Sequence, residues 1–476
     1  QRYVKKHHEE FGLDSAIIGG LFMEKFFHLK ENGTNVRTEI MAGITTFLAM
    51  AYILAVNPAM LGDAGMPSAG VFMATALSAA FATLIMAFWA NYPIALASGM
   101  GLNAYFAYTV CGSLGAQGIE NPWRIALTAI LVEGLVFIIL SLFKFRETLV
   151  NSIPENLKYG ITAGIGLFIT IVGLKGAGVI VPNESTLIAL GNVGDASVAL
   201  ALIGTLAIGA MMYYNIKGAI LWGILLTWIL GIFAQLSGWY TGVSVLPDFA
   251  SNNVLTGFSD MSKIAFQFDF SYVANNAVNF AVIVFAFLFV DLFDTVGTLI
   301  GVAAKGNLLD KDGKLPRVGK ALMADALGTV AGSCMGTSTV TSFVESSAGV
   351  AEGGRTGLTA LTAAVLFILS IFLSPIFLAI PGFATTPALV VVGMLMMSSV
   401  SKVKFEGDMA DVMGAFVAIM MMPFTYSIAN GIMFGVLTWL VLKVVRGKLK
   451  EIHPIMWIVG ALFVLRIITI ILGISS

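Results

Sequence analysis

Charge is what this chain has least of. Only 11% of its 476 residues are Asp, Glu, Lys or Arg, while 58% are hydrophobic; soluble domains carry roughly 25% charged residues. Most of the length therefore cannot face water, and a string of soluble domains is excluded. With 26 Lys and Arg against 27 Asp and Glu there is no basic surplus, which argues against a nucleic-acid partner. Cysteine is nearly missing: Cys111 and Cys334, both in apolar surroundings, exclude a disulfide framework or a structural zinc site. The four histidines, His7, His8, His28 and His453, lie outside the apolar stretches and argue against a haem or a His-ligated metal within a bilayer. Nor is there a nucleophile–base pair or a metal-ligand cluster, so neither enzyme chemistry nor a cofactor is expected.

Long apolar runs are abundant. A hydrocarbon layer of about 30 Å needs about 20 helical residues. Runs of that kind occupy 38–60, 68–90, 123–143, 157–176, 197–214, 217–236, 272–302, 317–335, 355–377, 383–400, 409–424 and 428–445. Two further stretches, 94–112 and 336–349, are apolar but short or rich in Gly, Ser and Thr. The stretch 454–473 is apolar yet carries Arg466, and its placement stays open. The expectation is an all-α polytopic membrane protein with 14 segments and external loops at 177–196 and 237–271. The polar start, 1–37, reads as a cytoplasmic N-terminal region without the apolar centre of a signal peptide.

Basic residues fix the orientation. With the N-terminus inside and 14 crossings, 22 of the 26 Lys and Arg fall on the cytoplasmic side. Arg124, Lys175 and Lys263 fall outside, and Arg466 is unassigned. This is the bias that orients multi-pass proteins in a plasma membrane. Dropping one short segment destroys it, so 94–112 and 336–349 must count as crossings.

The halves echo each other. Arg124-Ile-Ala-Leu127-Thr128-Ala129 recurs as Arg355-Thr-Gly-Leu358-Thr359-Ala360, and Ile153-Pro154 as Ile380-Pro381. Ile220-Leu-Trp-Gly223 likewise echoes Ile432-Met-Phe-Gly435. Seven segments per unit is an odd number, so the second copy enters from the opposite face. Inverted repeats of this type characterise secondary transporters, whose site lies at the bilayer midplane between discontinuous helices. The third segment of each half fits that role. Tyr92-Pro93…Ser98-Gly99-Met100-Gly101-Leu102-Asn103 and Gly336-Thr337-Ser338-Thr339-Val340-Thr341-Ser342-Phe343-Val344-Glu345 should each begin extended and become helical midway. Irregular backbone at that depth is tolerated only where protein or a cavity satisfies it.

Carboxylates within the bilayer are expensive and mark functional sites. Asp291 and Asp294 share a helix face in the eighth segment; Glu345 lies in the tenth and Glu133 in the fourth. Two carboxyls on one face repel when both are ionised, so one is expected to hold a proton, as a proton-coupled carrier requires. Asp325 reads as a carboxyl bonded to a neighbouring Ser or Thr. Asn103 is equally compatible with a simple interhelical hydrogen bond. The runs 394–397 and 420–422, rich in Met, read as adaptable packing rather than a metal path.

Several motifs together carry a resemblance. They are Thr45-Thr-Phe-Leu-Ala-Met-Ala-Tyr-Ile-Leu-Ala-Val-Asn57-Pro58, Gly99-Met-Gly101-Leu-Asn103-Ala-Tyr-Phe, Asp291-Leu-Phe-Asp294-Thr-Val-Gly-Thr, Thr337-Ser-Thr-Val-Thr-Ser-Phe-Val-Glu345-Ser-Ser and Gly354-Arg-Thr-Gly-Leu-Thr-Ala360. From about residue 23 to the C-terminus the chain resembles the AzgA-like branch of the nucleobase–cation symporters. The resemblance implies segments 1–4 (38–143) and 8–11 (272–377) as a substrate-holding core. It implies segments 5–7 (144–236) and 12–14 (378–446) as a gate that also dimerises, with 447–476 as a C-terminal region. It implies import of adenine, hypoxanthine or guanine with protons as the coupling ion, by alternating access of an elevator kind. Asp294, Glu345 and Asn103 would then bind the base, with Thr339 and Phe343 beside it and Asp291 as a proton-coupling partner. A purine edge alternates N–H donors and ring-nitrogen acceptors that two carboxyls can satisfy, while aromatic rings pack its faces. The alternatives are a carrier of the same fold for uracil, xanthine or an inorganic anion. Carboxylates beside the ligand would repel an anion.

Overall fold

The computed structural model describes residues 23–142, 153–311 and 315–471. The expectations for 1–22, for the basic residues Lys144, Arg146 and Lys314 and for the last residues of the C-terminal stretch lie outside the described residues. Helices dominate the rest. Among the described residues ten are long and apolar enough to cross a membrane. They are Val36–Asp63, Ser68–Ala90, Trp123–Leu142, Glu155–Gly176, Ala196–Tyr213, Ala219–Leu236, Ala277–Ala303, Gly357–Phe377, Gly382–Lys402 and Ile428–Val445. The protein is a multi-pass membrane protein. The four remaining expected segments fall on α-helices Val318–Met335 and Met409–Phe424 and on two short strand–helix units.

Those two units sit at the centre of the molecule. Strand β1 (Leu96–Ser98) is followed by helix α1 (Met100–Ala104) and a wider helical turn, Tyr105–Cys111. Strand β2 (Val340–Ser342) is followed by helix α2 (Ser346–Ala351). The strands pair antiparallel, Leu96 with Ser342, Ala97 with Thr341 and Ser98 with Val340, and all six residues are buried. Gly99 N donates to the carbonyl of Thr339 (3.1 Å) and Phe343 N to that of Ala95 (3.0 Å), extending the ladder at both ends. A two-stranded ribbon within a bilayer leaves two edges that lipid cannot satisfy. Here hydroxyls of two flanking helices do so. Thr83 of Ser68–Ile85 accepts from Leu96 N (2.9 Å), and Thr329 of Val318–Met335 donates to Val340 O (2.9 Å). The Ser and Thr content of these stretches is thus the chemistry of two short strands held inside a helical protein.

A carboxylate pins the first helix to a distant one. Glu39, buried, accepts from the backbone N of Arg355 (2.7 Å), Thr356 (3.2 Å) and Thr359 (3.1 Å) and from the hydroxyls of Thr356 (2.8 Å) and Thr359 (2.7 Å). These are orphan donors at the start of helix Gly357–Ser370, where a negative charge also suits the helix dipole. The expected outer loops have structure of their own. The first holds a hairpin, Ile180–Asn183 with Leu187–Leu190. The second holds helix Val254–Ile264, capped by Asn253 and pressed so closely on Ser68–Ile85 that a side chain at Gly70 would meet the backbone of Asp260.

Candidate functional site

The antiparallel ribbon sets the end of β1 beside the start of β2, and the end of β2 beside the start of β1. Asp294, half-buried on helix α3 (Ala277–Lys305), lies against the turn between β1 and α1: a Cβ added at Gly99 would stand 3.5 Å from its Oδ2 and 2.6 Å from Thr341 Cγ2. Only glycine fits there. Glu345, also half-buried, follows β2 and precedes α2. Tyr52 stands where the first helix is interrupted between Val36–Met50 and Ile53–Asp63, and its hydroxyl donates to Glu345 Oε1 at 2.6 Å. Asp294 thus stands at Gly99 and Thr341, while Glu345 holds Tyr52. The ring of Phe343 lies 6.5 Å from that of Tyr52, tilted by 45°. Along α3 from Asp294, Gly297 and Gly301 are exposed, with nothing within 4 Å of an added Cβ.

Behind this group lies a second one. Thr295 Oγ1 stands 3.0 Å from Asp291 Oδ1, 2.8 Å from Asp325 Oδ1 and 2.6 Å from Thr341 Oγ1. Asp325 also accepts from Ser342 N (3.2 Å), so it anchors β2 as well. All of these side chains are buried.

The expected site residues therefore separate. Glu345 and Phe343 share Tyr52, while Asp294 lies against Gly99 and Thr341 of the same ribbon. Asp291 lies with Asp325 one helical turn away. Thr339 donates to Glu133 Oε2 at 2.8 Å, both fully buried. The amide of Asn103 is engaged by the strand crossing: its Oδ1 accepts from the Ser338 hydroxyl, and its Nδ2 faces the carbonyl of Ser98 at 3.4 Å. Around it, Ser98 and Thr337 share a hydrogen bond (2.9 Å), and Asn57 donates to Thr75 (2.7 Å) and Thr337 (2.9 Å). Sequence reasoning missed Tyr52 and Glu39; the hydroxyl bond expected of Asp325 is present, with Thr295 as its partner. Tyr52 lay in a quoted motif, but nothing local marks one aromatic among many. Glu39 was visible as an acidic residue in a helix's first turn, and its partners are 316 or more positions away.

A two-stranded antiparallel ribbon, buried amid long apolar helices, is the frame of a multi-pass membrane fold. The fold is shared with the transmembrane domain of a cyanobacterium bicarbonate transporter, BicA, at a TM-score of 0.61 and 15% identity, over 86% of this chain and 96% of that one. The chain belongs to the Permease family, which matches residues 37–434, and is thus a transport protein rather than an enzyme. Among its relatives, the adenine permease AdeP of Escherichia coli (strain K12) is 42% identical, covering 94% of this chain and 96% of that protein. The guanine/hypoxanthine permease PbuO of Bacillus subtilis (strain 168) is 44% identical, covering 93% and 99%.

Proposed function

We propose that this permease imports purine nucleobases (adenine, hypoxanthine or guanine) in symport with protons, with the base held between Asp294 and Glu345. The observation that carries the reading is that both carboxyls flank the buried β1–β2 ribbon, Asp294 at Gly99 and Thr341 and Glu345 just after β2 with Tyr52 bonded to it and Phe343 beside Tyr52. Carboxyls accept from the N–H groups of a purine edge and, when protonated, donate to its ring nitrogens, while Phe343 packs a face. Relatives named for adenine and for guanine/hypoxanthine across nearly the whole chain support the purine class. An inorganic anion, the cargo named for BicA, would meet two carboxyls here, and the site disfavours it.

For the coupling ion, Thr295 is the support. Its hydroxyl has one proton and two carboxyl neighbours, Asp291 and Asp325, and the set is complete when one of them holds a proton. In this reading all 14 segments count as crossings in two inverted repeats, with the N-terminus cytoplasmic and the cell membrane as the location. The strand ribbon flanked by Thr83 and Thr329 fits such a pseudo-symmetry. Residues 38–143 and 272–377 form a moving core that shuttles the site elevator-fashion. Residues 144–236 and 378–446 form the gate and the surface for a homodimer.

The test is uptake of ³H-labelled hypoxanthine and adenine in cells lacking their own purine carriers. Asp294→Ala and Glu345→Ala are each expected to abolish uptake with membrane expression intact, and a protonophore to stop accumulation. Near-wild-type uptake in either variant refutes the site. Accumulation that survives the protonophore and requires Na⁺ refutes proton coupling.

A further inference from the structure

The last helix, α4 (Pro454–Ile471), lies beyond the 14 expected segments and beyond the residues the family matches. Its short link, 446–453, joins it to helix Ile428–Val445, and it packs there: Met456 and Val459 are buried, and Gly460 lies directly against Leu440. A second face reaches across to α3. Phe463 meets Phe285 edge-on, with ring centroids 5.5 Å apart, and Arg466 donates to Asn279 Oδ1. Asn279 and Arg466 both line a cavity of about 450 Å³. Tyr105 and Tyr108 of the first broken segment form another wall, and Tyr426 and Asn430, from the start of the last gate helix, a third. The cavity is thus bounded by both proposed bodies, and α4, covalently part of one, grips the other at its rim. Arginine within an apolar helix is costly unless its head group is engaged by protein or reaches a polar cavity. An arginine turned into this cavity, onto an amide of the opposite body, is accounted for by that grip.

We propose that α4 is a strap and Arg466 a positioning residue of the transport cycle: its contact with Asn279 holds α3 in the present arrangement and must break and re-form as the core moves past the gate. This rests on the alternating-access reading above. Spin labels at the exposed positions Ile300 and Ile458 report α3 against α4, and labels at Val441 and Ile458 report the gate helix against α4. Both are measured by pulsed electron resonance in the full-length protein in proteoliposomes.

The first pair is expected to show two distances whose proportions shift about threefold or more in Arg466→Gln and in Asn279→Ala, and return toward wild type in Arg466→Lys. The second pair is expected to keep one distance throughout. A single distance for the first pair, or proportions unchanged in both variants, overturns the proposal. So does a second pair that moves as much as the first. The measurement reads position, so a wrong purine assignment does not affect it; that failure appears separately, as wild-type protein that takes up none of labelled adenine, hypoxanthine and guanine.

Discussion

At the scale of single residues, the separation of the acidic and amide groups makes their substitutions distinguishable. Tyr52 donates to the Glu345 carboxyl at 2.6 Å and so orients it. A typical hydrogen bond contributes about 0.5–1.5 kcal/mol, so Tyr52→Phe is expected to raise the apparent KM for purine about threefold to tenfold. Uptake kinetics read this directly, and an unchanged KM would remove Tyr52 from the site. Asn103 is different. Its amide faces Ser338 and Ser98 in the crossing, so Asn103→Ala is expected to lower the melting temperature of the detergent-solubilised protein as well as uptake. A residue that met only substrate would leave the melting temperature of the empty carrier unmoved. The carboxyls were legible in the sequence because charge is so scarce here that each buried acid stands out. Tyr52 was not legible, because one aromatic at a helix break looks like any other until its partner, 293 positions away, is in place.

At the scale of elements, two polar clusters hold helices to one another and respond to different tests. Removing Glu39 strands the buried donors of Arg355, Thr356 and Thr359, each worth about 1–3 kcal/mol when left unsatisfied. Glu39→Ala is therefore expected to lower thermal stability sharply in scanning fluorimetry, and Glu39→Gln, which keeps one acceptor oxygen, to lower it less. Asp408 caps helix Met409–Phe424, and hydrogen bonds from Lys443 (2.9 Å) and Lys448 (2.8 Å) hold its carboxyl well below the usual carboxylate range. Because the folded value is depressed, its stabilisation is fully present above the ordinary carboxylate pKa of about 3.9 and is lost as pH falls through the lower folded value. The melting-temperature gap between wild type and Asp408→Asn should hold constant from about pH 5 to 8 and close in strong acid. A gap that varied across neutrality would contradict this origin. Helices with unbroken apolar runs were readable because length and hydropathy alone define them. The strand–helix units were anticipated from Gly, Ser and Thr, but their pairing register and the Thr83 and Thr329 edge contacts depend on which segments meet, which no local pattern encodes.

For the whole molecule, charge scarcity and the sorting of Lys and Arg pointed to a multi-pass protein, and the family match and the ten long apolar helices agree with that. The strap at the C-terminus was not foreseen. Arg466 made 454–473 ambiguous, and its meaning depends on Asn279 lying across a cavity. If the core moves as a body relative to the gate, locking it should stop transport while sparing binding. The claim on which the transport reading depends is that a purine lies between Asp294 and Glu345. The most direct measurement is cryo-electron microscopy of the protein with saturating hypoxanthine. Planar density bridging those two carboxyls and packed on Phe343, lost in the Asp294→Ala protein, is the expected result. Well-resolved carboxyls with the base bound elsewhere, or the same density persisting in Asp294→Ala, would contradict it.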